Sequence, residues 1–361
     1  MLTDESMAAA RRRFGTLGQI EAAARAALAS PVWDLLAGAA GDEETLRDNR
    51  DAFGRWRFRP RALPGTGGVD LAVHLLGLPL AAPLLVAPFA PDGLFHPDGQ
   101  PAVAAACAFL GLTNVAPTTC SYPLEEVRAA GARLFQLPPT DPAVMRWLIA
   151  RAAKAGYDAL VVTVDQPVLG WRDRDRADPP AFDRALTRAN FAVPGGPGPA
   201  PRLTPDSAWL DWTWDALGDL LREAGLPFVV KGVLTAEDAM EALRIGAAAV
   251  VVSNHGGRQL DGAPASLDQL PEVAGAVGGR IPVLLDSGVR RGSDVVKALA
   301  LGADAVLIGR TAAYGLAAAG AAGVARALEL ILAEMRTVLA LVGCRRPAEL
   351  DRTRVQPSAR L

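Results

Sequence analysis

Histidine, cysteine and tyrosine are scarce in this chain of 361 residues, with three of each, and each shortage removes a class of function. Cys107, Cys120 and Cys344 are odd in number, widely spaced and form no C-x-x-C pair, which argues against a disulfide framework or a redox motif and leaves reduced structural thiols. His74, His96 and His255 fall in no His/Cys spacing suited to zinc, so no metal is expected. Charge of one sign is lacking too. Lys+Arg 37 against Asp+Glu 39 leaves a formal net charge of -2, with no footprint for nucleic acid or an anionic membrane. The apolar stretch 75–91 is interrupted by prolines and cannot supply the ~20 residues of a membrane helix. Behind Arg11-Arg12-Arg13 there is no apolar run of the kind a cleaved secretory signal needs. The expectation is a cytoplasmic protein acting on a small molecule, with no nucleic-acid or membrane partner.

What the chain does have is hydrophobic residue, 50% of the total, arranged as short runs rich in Val, Leu and Ile. Eight such runs, at 84–90, 112–117, 134–137, 159–165, 228–233, 248–255, 283–288 and 305–310, read as strands. Helical patterns lie between most of them, for example 141–156, 235–246 and 293–302, the last two opening on a Thr or Ser suited to cap the first turn. Strands apolar on both faces and separated by helical crossovers predict a parallel sheet covered by helices. Eight units favour closure, so the fold class is α/β, a (β/α)8 TIM barrel. The residues form one domain, 1–361. Its first 80 residues are a helical extension, with helices predicted near 20–28, 31–36 and 43–53. The interval 165–228 after the fourth strand is too long for a simple crossover. Its stretch 174–206, rich in Pro, Gly, Arg and Asp, reads as a lid loop over the barrel mouth.

In such a barrel the active site stands at the C-terminal ends of the strands, and those ends carry unusual polar residues. The sixth ends in Ser253-Asn254-His255-Gly256-Gly257-Arg258-Gln259-Leu260-Asp261, the seventh in Asp286-Ser287-Gly288-Val289-Arg290-Arg291-Gly292, and the eighth in Ile308-Gly309-Arg310. The first of these blocks resembles the signature of the FMN-dependent 2-hydroxy acid oxidases and dehydrogenases, the family of glycolate oxidase, lactate oxidase and mandelate dehydrogenase. The stretches V-K-G-V around Lys231, A-L-A-L-G-A, and I-G-R at the eighth strand follow in that family's order. Weaker agreement runs from Trp33-Asp34 to Gly343-Cys344.

The resemblance implies FMN as cofactor and a role for each residue of the site. His255 would be the base that takes a proton from the substrate's α-carbon or hydroxyl. Asp165 would orient the imidazole and stabilise its protonated form. Arg258 and Arg172 would hold the substrate carboxylate, with Arg174 as the alternative to Arg172. Gly288, Arg290, Gly309 and Arg310 would hold the flavin phosphate, Asp286 the ribityl hydroxyls, and Lys231 the N1 and O2 edge of the ring. Gln136, Thr163 and Ser253 would hydrogen-bond the ring edge, with Ala87-Pro88 lying against it. A 2-hydroxy acid is the implied substrate, O2 or another acceptor the implied oxidant, and a homo-oligomer, a tetramer in many relatives, the implied assembly. His96 also follows the family but reads as structural.

The chain departs from that pattern at its pocket. Leu35 and Pro138 stand where the family places two tyrosines, Thr119 where many members carry an aromatic, and Phe89 where they carry a small residue. This predicts a substrate larger or less polar than glycolate or lactate. Tyr122, in Cys120-Ser121-Tyr122-Pro123, reads as a tyrosine of a surface turn, with replacement of one lost phenol as the alternative. Three other readings stay open on sequence: a tailoring oxidase acting on a related α-substituted carbonyl compound, an FMN barrel of different chemistry that shares only the phosphate site, and a flavin-binding protein without activity.

Overall fold

The computed structural model describes residues 2–358 except 66, 182, 193–195 and 197–210. Eight of its strands close into a parallel barrel: β1 (Leu84–Val86), β2 (Thr113–Ala116), β3 (Leu134–Leu137), β4 (Ala159–Thr163), β5 (Phe228–Val233), β6 (Ala249–Val252), β7 (Val283–Leu285) and β8 (Ala305–Ile308). Pairing of β8 with β1, Val306 opposite Leu84, completes the circle. All eight were legible as apolar runs, yet most pair over fewer residues than those runs contain. Beyond the last ladder bond the chain turns outward, and at the mouth His255 and Ser287 take positive φ angles of 59° and 73°.

Alternation along each strand divides the core in two. Leu85, Val115, Leu134, Val161, Val229, Val251, Leu284 and Leu307 fill the barrel interior. Their neighbours Val86, Phe135, Val162, Val230, Val252 and Ile308 face outward, beneath the helices. A hairpin of Val73–Leu75 and Leu78–Leu80 precedes β1, and its leucines join the interior cluster, plugging the end of the barrel opposite the strand C-termini.

Four helices precede that hairpin: α1 (Asp4–Arg13), α2 (Leu17–Ala27), α3 (Ser30–Ala37) and α4 (Glu44–Gly54). The polar, charged α1 carries no strong apolar period and was not anticipated. Thr3 and Thr16 cap α1 and α2, each completing a reciprocal pair with the residue three positions on. Both helices rest on the C-terminal helix Arg310–Val342. That helix is long and apolar enough to cross a bilayer by length and composition, but 67% of its most apolar window is buried inside the protein, which accounts for its hydropathy. The predicted caps fared differently. Thr235 accepts from Asp238 N, whereas Ser293 lies inside its helix and Asp294 Oδ2 accepts from the backbone N–H groups of Arg290 and Arg291.

Within the predicted lid, residues 182, 193–195 and 197–206 lie outside the described residues. The remainder holds a short helix, Asp173–Ala177, and a turn, Arg184–Thr187. The turn is docked on the loop after β2: Ser121 Oγ donates to Leu186 O at 2.9 Å, Asn190 Nδ2 donates to Thr118 O at 2.8 Å, and Leu124 N donates to Asn190 Oδ1 at 2.7 Å.

Candidate active site

The C-terminal ends of the strands surround a cavity of about 520 Å³, in the range of small-molecule and cofactor sites. Its lining includes Ala87, Pro88, Gln136, Thr163, Arg172, Lys231, His255, Arg258, Asp286, Gly288, Arg290, Gly309 and Arg310. The sequence named each of these. Two of its candidates stand one layer back. Ser253 is fully buried, and its hydroxyl accepts from Lys231 Nζ at 3.1 Å and from His255 N at 3.1 Å. Asp165 lies behind the imidazole, with its carboxylate oxygens 3.1 and 3.2 Å from His255 Nδ1.

A carboxylate only accepts, so it fixes the proton on Nδ1 and leaves Nε2 bare toward the cavity. Burial pushes the His255 pKa below its ordinary value, with Lys231 and Arg172 adding to the shift and Asp165 opposing it. Burial alone would raise Asp165, but the charge and hydrogen bond of His255, together with Lys231, hold it below the usual range. The pair at neutral pH is therefore a free base backed by a carboxylate.

The loop bearing His255 is built against α4. Gly257 has φ +77, and a Cβ there would stand 2.8 Å from Leu46 N; at Gly288, φ +79, it would stand 2.2 Å from Asn49 O. Only glycine permits both the left-handed backbone and the approach of the helix. Asn49 and Asn254 exchange amide hydrogen bonds at 2.8 Å, which ties the same helix to the residue before His255.

Arg172 and Arg258 meet over the mouth. Arg258 Nη1 donates to Leu35 O at 2.7 Å and Gly38 O at 2.8 Å, while Arg172 Nε donates to Arg258 O at 3.0 Å. Asp175 Oδ2 lies 3.6 Å from Arg258 Nη2 and 3.7 Å from Arg172 Nη1, so two guanidiniums already converge on one carboxylate oxygen. Burial lowers both pKa values, that of Arg258 well below the ordinary one with help from Arg172 and Arg310. Arg174 points elsewhere and pairs with Asp34 and Glu43.

At the Arg290–Arg310 side of the cavity, joined to Arg258 through the shared carbonyl of Gly38, Arg290 makes no ion pair with an acidic side chain among the described residues. It donates to Val289 O at 3.1 Å. Arg310 spends its donors on the carbonyls of Leu36, Gly38 and Gly256, and burial with Arg290 nearby lowers it to about 10. Carbonyls stabilise such cations without neutralising them, so this side favours an anion. Next to it, Lys231 Nζ pairs with Asp286 Oδ2 at 3.1 Å. The uncompensated arginines and the Lys231–Asp286 pair with Gln136 and Thr163 form a donor set that fits a flavin mononucleotide: Arg290 and Arg310 would hold its phosphate, and Lys231, Gln136 and Thr163 would meet its ring.

The comparisons with known proteins agree with that chemistry. The sequence profile of the FMN-dependent dehydrogenases matches residues 24–357. The chain belongs to the FMN-dependent dehydrogenase family. An L-lactate oxidase of Nostoc sp. is 44% identical over 350 residues, 93% of this chain and 96% of that protein. The glycolate oxidase of Spinacia oleracea is 40% identical, over 94% and 95%. A solved mandelate oxidase with benzoyl-formic acid superposes with a TM-score of 0.87 at 40% identity, covering 96% of this chain and 98% of that one. Membership makes this flavoprotein an oxidoreductase whose cofactor is FMN.

Leu35 and Pro138, the positions at which the resemblance implies tyrosines, both line the cavity, with Phe89 and Thr119. Tyr122 does not replace a phenol, since its hydroxyl donates to Pro97 O at 2.9 Å and it is absent from the lining. Sequence reasoning missed Gln166, Leu169 and Thr187, which also line the cavity. It missed Gln259 as well, whose amide donates to Asp165 O and Val168 O and accepts from Gly170 N. Gln259 sits inside the S-N-H-G-G-R-Q block and Gln166 directly follows Asp165, so adjacency was the available signal for both. For Leu169 and Thr187 there was none, because they reach the cavity only through the docking of a long loop.

Proposed function

We propose that the protein oxidises the α-carbon of 2-hydroxy acids to give 2-oxo acids. The observation that carries this reading is the His255–Asp165 pair facing the same cavity as Arg172 and Arg258. FMN supplies the acceptor for the substrate's electron pair. Arg172 and Arg258 fix the carboxylate by paired donors, which places the α-carbon against the flavin site. His255 Nε2 takes the substrate's proton, and Asp165 stabilises the imidazolium that results. Arg290 and Arg310, with the backbone at Gly288 and Gly309, hold the phosphate. Lys231, Gln136 and Thr163 serve the ring, and Ser253 holds Lys231 in place.

The substrate carries a larger, less polar side chain than glycolate or lactate. Leu35, Phe89, Pro138 and Leu169 support this by giving the cavity an apolar wall where the family resemblance implies two phenols. O2, or another electron acceptor, reoxidises the flavin. The protein works as a cytoplasmic homo-oligomer, a tetramer by family resemblance. Anaerobic mixing of the FMN-loaded protein with a panel from glycolate and lactate to mandelate-like and long-chain 2-hydroxy acids tests the reading. Bleaching by the bulkier acids, lost in His255→Ala, is the expected result; no bleaching by any acid overturns it.

A further inference from the structure

Gln166 follows Asp165 and lines the cavity, with its side-chain Nε2 3.3 Å from Nε2 of His255. The ring proton is on Nδ1, because both Asp165 oxygens face that nitrogen. The lone pair of the neutral base therefore sits on Nε2, and only a donor can meet it. The carboxamide NH2 is such a donor. It is also the atom the ring must do without after accepting a proton, since Nε2–H then needs an acceptor. A half-turn of the amide presents Oε1 from the same position. There is room for that turn: Gln166 borders the main cavity on one side and a second cavity of about 440 Å³, beside Trp212 and Trp214, on the other.

We propose that Gln166 is a positioning residue for the base. Its carboxamide donates to the bare Nε2 of His255 in the resting enzyme and turns to accept from that nitrogen once the ring has taken a proton. In turnover this rests on the function proposed above. Of the two hydrogens that the HO–C–H group loses, one goes as a proton to Nε2 and then to water, and the other follows the electron pair of the C–H bond to FMN and on to the final acceptor. Asp165 and Lys231, from the ends of β4 and β5, and Arg172, from the loop after β4, set the field at the ring. Asp286 stands behind Lys231, and Arg310 reaches the carbonyl of Gly256. None of these groups is placed to hydrogen-bond Nε2, which leaves that contact to Gln166.

With only three histidines in the chain, nitrogen NMR of the 15N-histidine-labelled holoenzyme reads His255 directly and needs no substrate. The expected result is an Nε2 signal hydrogen-bonded at both ends of a pH titration in the native protein and at neither end in Gln166→Met. Gln166→Glu, which only accepts when ionised, should raise the His255 midpoint by about one pH unit or more. Anaerobic flavin reduction adds a kinetic arm. Gln166→Met should lower the limiting rate roughly tenfold, the worth of one hydrogen bond to a charged group, with substrate affinity changed less than about threefold. An Nε2 signal in Gln166→Met that matches the native protein at either end of the titration overturns the proposal, as does a loss of affinity with an unchanged limiting rate. If no 2-hydroxy acid bleaches the flavin, the functional reading fails, and the spectrum still decides the contact.

Discussion

Lys231 Nζ lies 3.1 Å from Asp286 Oδ2 across the ends of β5 and β7, and the two side chains are 4% and 8% exposed. Burial alone would lower the lysine pKa, yet Asp286 and Asp165 raise it above its ordinary value, so Lys231 keeps its charge beneath the ring site. Removing one member of such a pair strands a buried charge, at a cost of about 3–5 kcal/mol. Lys231→Met should destabilise the apoprotein to that extent in urea unfolding. The double variant Lys231→Met with Asp286→Asn should recover most of the loss, because the stranded charge is gone; simple additivity of the two losses would show that the pair is not coupled.

The depressed pKa of His255 sets the acid side of the pH profile. The base works when neutral, so flavin reduction is full above the pKa and lost as pH falls through it. Stopped-flow reduction rates should therefore hold through pH 6.5, the ordinary histidine value, and decline only below it. Asp165 opposes the depression. Asp165→Asn should accordingly move the acid limb to lower pH, and it should also slow reduction by about 10²–10⁴ because the imidazolium loses its partner. A limb above pH 6.5 would mean that burial does not dominate at this ring.

Paired recognition by Arg172 predicts a charge-specific defect. Arg172→Lys keeps the charge and loses the fork, including the bond to Arg258 O. Affinity for a 2-hydroxy acid should fall roughly tenfold to a hundredfold. The neutral amide of the same acid should bind within about twofold of its native value. Equal losses for acid and amide would place the carboxylate elsewhere.

Leu35 and Pro138 invite the reverse experiment. Each restored phenol adds a hydrogen bond of about 1 kcal/mol, near a fivefold gain. Leu35→Tyr and Pro138→Tyr together should therefore raise kcat/KM for glycolate or lactate about 10- to 30-fold and reduce it for bulky acids. Steady-state kinetics on both substrate groups measure the switch, and parallel changes in the two would argue that these positions do not set side-chain preference.

The barrel was legible because its information is local. A run such as Ala159–Thr163 is apolar on both faces, and no other element buries it so simply. The polar strand ends were legible for the opposite reason, since Lys231 or His255 after a buried run costs stability unless a site uses it. The rest depended on distance. Arg258 and Arg172 were placed at one site, but their sharing of Asp175 could not be read from spacing. Neither could the retreat of Ser253 behind Lys231, which follows from the twist of β6 into a left-handed turn at His255. Thr187 reaches the cavity because Asn190 and Ser121 pin its loop, a contact between segments about 70 residues apart. The C-terminal helix reads as apolar in sequence, and only packing shows what its apolar surface is for.

One carbonyl ties these parts together. Gly38 O accepts from Arg258 at 2.8 Å and from Arg310 at 2.7 Å, so a single peptide group beyond the end of α3 holds the cation assigned to the substrate and the cation assigned to the phosphate. The segment before the barrel is thus heritable only together with it. A chimera joined near residue 80, pairing the first segment of one relative with the barrel of another, would exchange the anchor of both anion sites at once, and its cofactor affinity and substrate affinity should drift as one trait.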